Sequence, residues 1–191
     1  MRLHFIGGPA SGKSSIAQDL ARRLGLPVLD LDEIYWDHER AGLRAYSKRA
    51  DPKARDEALA AFIRRDRWIV EGAYYRWLGP SFERADRIFV LTAPRWRRHV
   101  RVVRRFLRGR LGRDDGRRET FRGFLRVLRW NHRYDRRYLV RAAALLKELS
   151  LPFVRCSSLS EVLACLQAPA AAAGNAQSAG RGIVEVKGAC K

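Results

Sequence analysis

The sequence predicts an α/β protein in which helices cover a parallel sheet, and three observations carry that prediction. Short apolar runs alternate with segments whose apolar residues recur every three or four positions, the pattern of repeated strand–helix–strand units. A glycine-rich turn of eight residues, Gly7-Gly8-Pro9-Ala10-Ser11-Gly12-Lys13-Ser14, joins the first such run to the first such helix. A chain of 191 residues, 47% of them hydrophobic, is long enough for one full core and too apolar for general disorder.

The elements follow in order. Leu3, Phe5 and Ile6 mark a first strand over 2–6, and Ile16, Leu20 and Leu24 set a helix over 13–24 that Gly25 and Pro27 stop. Val28-Leu29-Asp30 is a short second strand, followed by a polar, turn-rich insertion to about residue 51. Asp51 as N-cap and Pro52 at the first helical position open a helix to about Arg65. Trp68-Ile69-Val70-Glu71, closed by Gly72, is the third strand, and 87–91 is the fourth. Pro94 opens a helix with Trp96, Val100, Val103 and Leu107 on one stripe. Arg97, Arg101, Arg104 or Arg105, and Arg108 lie on another.

A loop over 109–116 leads to a long helix of about 118–149, where Phe121, Leu125 and Leu128 track the core face. Arg122, Arg126, Arg129, Arg133 and Arg137 track a second face. A strand over 152–156 and a helix over 158–166 close a domain of 1–167. Residues 168–191 turn to Ala, Gly and Ser with no periodic apolar face and are expected to form a disordered tail. The apolar residues Ile183-Val184 and Val186 offer that tail a transient contact.

Charge is the unusual part of the composition. The formal net charge is +19, and between Arg95 and Arg141 there are 18 arginines against four acids. A field of that sign favours polyanions such as nucleotides, nucleic acid or acidic lipids. Cys156, Cys165 and Cys190 lack metal-ligand spacing and read as reduced thiols. No apolar stretch reaches membrane-spanning length, and the start MRLHFIGG has no signal-peptide core, so the expected location is cytoplasmic.

The glycine-rich turn has the form G-x-x-x-x-G-K-[ST], with a strand before it and a helix after it. Its glycines let backbone N–H groups turn inward around phosphates, and the helix N-terminus adds partial positive charge. Lys13 would reach the β- and γ-phosphates, and Ser14 would offer its hydroxyl to Mg²⁺. The loop therefore points to a bound nucleoside triphosphate.

Three further segments accompany the loop: LDLDEIYW, WIVEGAYYR, and Pro94-Arg95-Trp96 opening the arginine-rich helix. Together with GGPASGKSS they resemble adenylate-kinase-like P-loop phosphotransferases over residues 1–166, and more narrowly the group catalogued as DNA topology modulation proteins. Pro9 fits the nucleoside monophosphate kinase form of the loop, while Ala10 stands where glycine is usual. The resemblance implies a five-stranded parallel sheet of order 2-3-1-4-5, with ATP and Mg²⁺ as cofactors. It also implies nucleotide contacts through Ser15, an acceptor-side insertion over 31–65 and a lid tip over 109–116.

Site residues follow on two grounds. Asp30 and Asp32 end the second strand at the carboxyl edge, where open α/β sheets bind ligands. Asp30 would hold Mg²⁺ through water and Asp32 would contact the acceptor or take its proton, or else both would cap the next helix. Glu71 resembles the acid of an Asp-Gly pair that orients Mg²⁺-bound water, though glutamate is one methylene longer; Gly72 would let an acceptor pass closely. Among arginines, Arg105 matches a lid arginine and Arg76 an acceptor-phosphate clamp, with Arg133 and Arg137 reaching in from the far side.

Tyr35, Trp36, Tyr74, Tyr75 and Trp77 would stack on a base or pack in the fold. His4, His38, His99 and His132 are scattered without a nucleophile, which argues against covalent catalysis. With no cysteine in 109–116, a zinc-bearing lid is excluded. The leading expectation is an ATP–Mg²⁺ phosphotransferase acting on a nucleotide or other small acceptor. The rivals are a nucleic-acid-binding P-loop ATPase that uses the 95–141 segment, and a polynucleotide-end kinase. The pattern sets no oligomeric state.

Overall fold

The computed structural model describes residues 1–37, 48–111 and 120–167. The expected tail over 168–191 lies outside the described residues, as does the lid tip from 112 onward.

Five parallel strands form one sheet of order β2-β3-β1-β4-β5. They are β1 (Arg2–Gly7), β2 (Val28–Asp30), β3 (Trp68–Gly72), β4 (Arg87–Leu91) and β5 (Phe153–Cys156). β1 sits at the centre, paired with β3 and β4, and is buried from Leu3 to Gly7. Its near-continuous apolar run is what a strand covered on both faces requires. One face packs Leu3, Phe5, Ile69 and Phe89 against Ile16, Ala17 and Leu20 of α1 (Lys13–Leu24). The other face packs Ile6, Val70 and Val90 against Leu59, Phe82 and Leu146. The strand order and the parallel pairing agree with the expected fold class.

The remaining helices are α2 (Leu31–Tyr35), α3 (Pro52–Ile63), α4 (Gly79–Arg84), α5 (Arg95–Arg110), α6 (Phe121–Tyr134), α7 (Val140–Glu148) and α8 (Leu159–Gln167). Asp51 caps α3 by accepting from Ala54 N, with Pro52 opening the helix. The flanks of 38–47 are tied together, since Asp37 N donates to Lys48 O and Ala50 N donates to Tyr35 O, each at 3.0 Å.

Four features differ from the sequence pattern. α4 is six residues long, with Pro in its first turn and no side-chain cap, too short to show a helical period. The long helix expected over 118–149 is broken by a π-helical turn at Asp135–Leu139, between α6 and α7. The apolar stripe of α5 faces solvent: Trp96 is 64% exposed and Leu107 52%. Arg98 and Val102 take the inward face instead, because the buried Arg98 guanidinium is held by Asp135 at 2.6 Å. Nor does Phe121 reach the core; it is exposed and meets Phe106 and Phe124 near the start of α6.

Candidate functional site

The phosphate loop forms as the chain leaves the central strand. A Cβ on Gly7 would lie 2.6 Å from Ser11 Oγ and 3.0 Å from Leu91 O, so only glycine lets the loop turn there. Ser11 N donates to Gly8 O at 3.1 Å, and Gly12, at φ 103°, opens α1. Ala10 has φ 56°, the left-handed region, which explains why glycine suits that position.

Two arginines of α5 brace the loop. Arg101 Nη1 donates to Ala10 O at 3.1 Å and to Ser11 O at 3.2 Å. Arg98 and Tyr134 crowd the α-carbon of Gly8 so closely that any side chain there would collide with them. Sequence reasoning gave neither arginine a role in the loop. The available signal was phase: Arg98 shares the helix face of Val102, where a solvated arginine does not belong.

At the strand edge the acids converge. Asp30 of β2 sits beside Glu71 of β3 in register. Glu71 is buried, and its Oε2 lies 3.6 Å from Lys13 Nζ. That oxygen makes no hydrogen bond. Asp30 caps α2, accepting from Asp32 N at 2.9 Å. Burial, then the charges of Glu71 and Asp32, push the Asp30 carboxyl up to about 7. Asp32 Oδ1 accepts the Tyr74 hydroxyl at 2.5 Å, and burial together with the Asp32 charge raises the Tyr74 phenol, keeping it a donor. Gly72 serves the fold rather than the cleft: a Cβ there would meet the Leu31 side chain at 2.7 Å, so its closeness is spent on Leu31.

Lys13, Asp32 and Tyr74 border a cleft of about 1250 Å³. Of the expected site residues, Pro9, Lys13, Asp32, Arg76, Arg105 and Arg133 line it. Gly7, Gly8, Ala10, Ser11, Gly12, Ser14, Ser15, Asp30, Glu71 and Gly72 are not in the lining; most stand behind it in the loop and strand edge. One wall is aromatic: Tyr35 stacks on Tyr74 with centroids 4.3 Å apart, and Arg55 lies 4.2 Å above the Trp77 ring. The lining also carries Arg122, Arg126, Arg129, Arg133 and Arg137, joined by Arg141, which lies outside the row that the sequence spacing marks.

Among the described residues no cluster of three or more His, Cys, Asp or Glu side chains forms a metal site. The available donors, Ser14, Asp30 and Glu71, are hard oxygens, and the orphaned Glu71 Oε2 is buried. That set fits Mg²⁺, which keeps several waters and shares its shell with phosphates.

No family model matches the chain. A stretch of 49 residues is 41% identical to a shikimate kinase of Paracidovorax citrulli (strain AAC00-1), covering 26% of this chain and 27% of that protein. The chain thus matches about a quarter of the length of that curated relative. Among solved structures, deoxyadenosine kinase from M. mycoides with bound dATP aligns with TM-score 0.50 at 13% identity, over 88% of this chain and all of that one. Shikimate kinase from Aquifex aeolicus aligns over 93% and 99% of the two chains, with TM-score 0.46 and 19% identity. The five-stranded parallel sheet with a phosphate loop leaving its central strand is the fold that the chain shares with the deoxyadenosine kinase.

Proposed function

We propose that the chain is an ATP- and Mg²⁺-dependent phosphotransferase that moves the γ-phosphoryl group to an acceptor held in the arginine-lined cleft. The observation that carries this reading is the opening of Lys13 of the phosphate loop and Asp32 of the strand edge onto one cleft. A switch protein has no need of a second, aromatic-walled compartment beside its triphosphate. The narrower likeness to the DNA topology modulation group fits this reading without naming an acceptor.

Backbone N–H groups of residues 7–15 receive the triphosphate, and Lys13 turns its ammonium from Glu71 to the β- and γ-oxygens. Ser14, Asp30 and Glu71 would hold Mg²⁺, which neutralises charge on the phosphates. Arg105 and Arg133 reach the travelling phosphoryl from the far wall, where planar forks match its oxygens. Asp32 stays fixed through Tyr74 and accepts the proton of an acceptor hydroxyl. Arg76 holds an acceptor phosphate where there is one. No covalent enzyme intermediate is involved, since positioning and charge neutralisation suffice.

Coupled ADP-release assays across nucleotides and small alcohols test the reading. Asp32→Asn should reduce kcat about a hundredfold for hydroxyl acceptors and leave KM nearly unchanged. Full transfer by Asp32→Asn would remove the base from Asp32 and leave an already anionic phosphate as the acceptor.

A further inference from the structure

We infer that the acceptor is the end of a single-stranded polynucleotide, laid along the arginine row that runs from α6 through the π turn into α7, with its terminal hydroxyl at Asp32; this rests on the phosphotransferase reading above. Six arginines (Arg122, Arg126, Arg129, Arg133, Arg137 and Arg141) all line the cleft at intervals of three or four residues. At the rise of an α-helix their row is about 28 Å long, well beyond a triphosphate and a small acceptor.

The row stays on one wall because of the π turn. In an unbroken α-helix Arg141 would lie about 100° round the axis from Arg122. The wider turn at Asp135–Leu139 winds more slowly, and Arg137 and Arg141 border the same cleft as Arg122. All six arginines are exposed, and none has a carboxylate partner among the described residues. Like charges one turn apart repel, so the row is not a device for stabilising the helix.

Aromatic rings complete the track. Tyr35, Tyr74 and Trp77 form a stacked group in the lining, and Trp130 and Tyr138, edge-on to each other, line the same cleft as the arginines. Phosphate forks together with flat apolar faces make the surface that single strands occupy without base-specific contacts. Among the described residues Asp32 is the single acid in the lining, so it marks the reacting end of a groove whose other charged described side chains are cationic.

In the reaction the terminal hydroxyl oxygen bonds to the γ-phosphorus and its proton passes to the Asp32 carboxylate. The bond from the γ-phosphorus to the β,γ-bridging oxygen breaks. ADP leaves with that electron pair, and the strand ends in a phosphomonoester.

The test follows transfer from γ-labelled ATP to oligothymidylates and oligouridylates of increasing length, bearing either a free 5′ or a free 3′ hydroxyl. Mononucleosides, nucleoside monophosphates and small alcohols run in parallel. The deoxy and ribo arms, and the two kinds of end, identify the strand and the terminus. KM should fall at least tenfold with length and level off near about eight nucleotides, the number that 28 Å spans at stacked spacing. Oligomer binding should weaken on the order of a hundredfold between 50 and 200 mM salt, as about six phosphate contacts require. The double variant Arg126→Gln/Arg137→Gln should raise KM for the octamer tenfold or more and change kcat less than threefold. Arg64→Gln, an exposed arginine at the end of α3, should change neither. Circular dichroism and melting confirm that each variant is folded.

Transfer to a small acceptor but to no oligomer would overturn this inference and leave the phosphotransferase intact. So would oligomer binding without transfer, or inorganic polyphosphate competing as well as an oligomer of equal charge. No transfer to anything, with no rise in melting temperature on adding ATP and Mg²⁺, would remove the phosphotransferase reading itself.

Discussion

At the strand edge of the cleft the charged groups are already matched to one another. Lys13 lies 3.6 Å from Glu71, Asp32 holds the Tyr74 hydroxyl, and Asp30 caps α2. Elsewhere in the lining, the six arginines from Arg122 to Arg141 stand in solvent and meet no carboxylate among the described residues. The contrast separates two uses of charge. Groups that act at the moment of reaction are fixed beforehand, because reorganising them would add to the barrier. Groups that recruit a polyanion stay solvated until it arrives, and their attraction is long-ranged and sensitive to salt. Substitutions in the first region should therefore strike rate or stability, and those in the second only affinity, Arg133 apart because it also reaches the travelling phosphoryl.

Lys13→Ala gives the largest expected effect. It should lower phosphoryl transfer about a thousandfold and abolish the rise in melting temperature produced by ATP–Mg²⁺. It also leaves the buried Glu71 without its cation, so the protein without nucleotide should melt at a lower temperature. Near-normal turnover in this variant would erase the distinction between the two regions.

The next test lies within the arginines themselves. Arg98 is 1% exposed, and Asp135 is its partner at 2.6 Å. Asp135→Ala strands a buried guanidinium and should cost about 3 kcal/mol in urea unfolding. Arg137→Gln, two residues on, should stay within about 0.5 kcal/mol of wild type. Equal losses would mean that the α6 face is structural.

How far these regions were legible in the sequence follows the same division. Strands, the loop and its flanking helix could be read because their signals are local: apolar runs of strand length, glycines at fixed offsets, Asp51 before Pro52. The arginine face could be read as far as Arg137 from its spacing alone. Arg141 could not, because a π turn leaves no mark in apolar periodicity. The braces Arg98 and Arg101 were hidden for another reason. Each acts across a long stretch of chain, Arg101 on Ala10 and Arg98 on Gly8 and Asp135, and in a segment holding 18 arginines the one local mark is the phase that Arg98 shares with Val102. The stripe Trp96–Leu107 has the spacing of a core face yet lies outside, since the pairing of Arg98 decides which side of α5 turns inward.

The pH dependence of stability should sharpen the fixed side further. His4 is buried in β1 beside Ser81, and burial lowers its imidazole to about 3. Below about 6.5 the unfolded chain takes a proton that the folded chain refuses, so stability should fall as pH drops toward 3, by up to about 1.4 kcal/mol per pH unit. Asp30 works in the opposite sense. Its carboxyl, raised to about 7, holds a proton more tightly in the folded state, so its contribution declines as pH rises from about 4 toward 7. Asp30→Asn keeps a capping side chain and should flatten that decline, while His4→Gln should flatten the acid-side loss. Melting temperatures across pH 4 to 8 check both. Unchanged profiles in the two variants would place the titrating groups elsewhere.

Ala10 gives the smallest effect and the finest test. At φ 56° its Cβ costs about 1–2 kcal/mol relative to a relaxed backbone, and Arg101 holds the carbonyl that fixes this turn. Glycine removes the strain, but it also loses about 0.5–1 kcal/mol more backbone entropy on folding. The balance for Ala10→Gly is a gain of at most about 1.5 kcal/mol, a rise of no more than about 3–6 °C in a domain of this size. Nucleotide affinity should not rise with it, because the loop is already held in its turn by Arg101. A fall in melting temperature would show that the strain in Ala10 is outweighed by the entropy the side chain removes. The loop would then owe its shape to its own restricted backbone as much as to the arginine clamped across it.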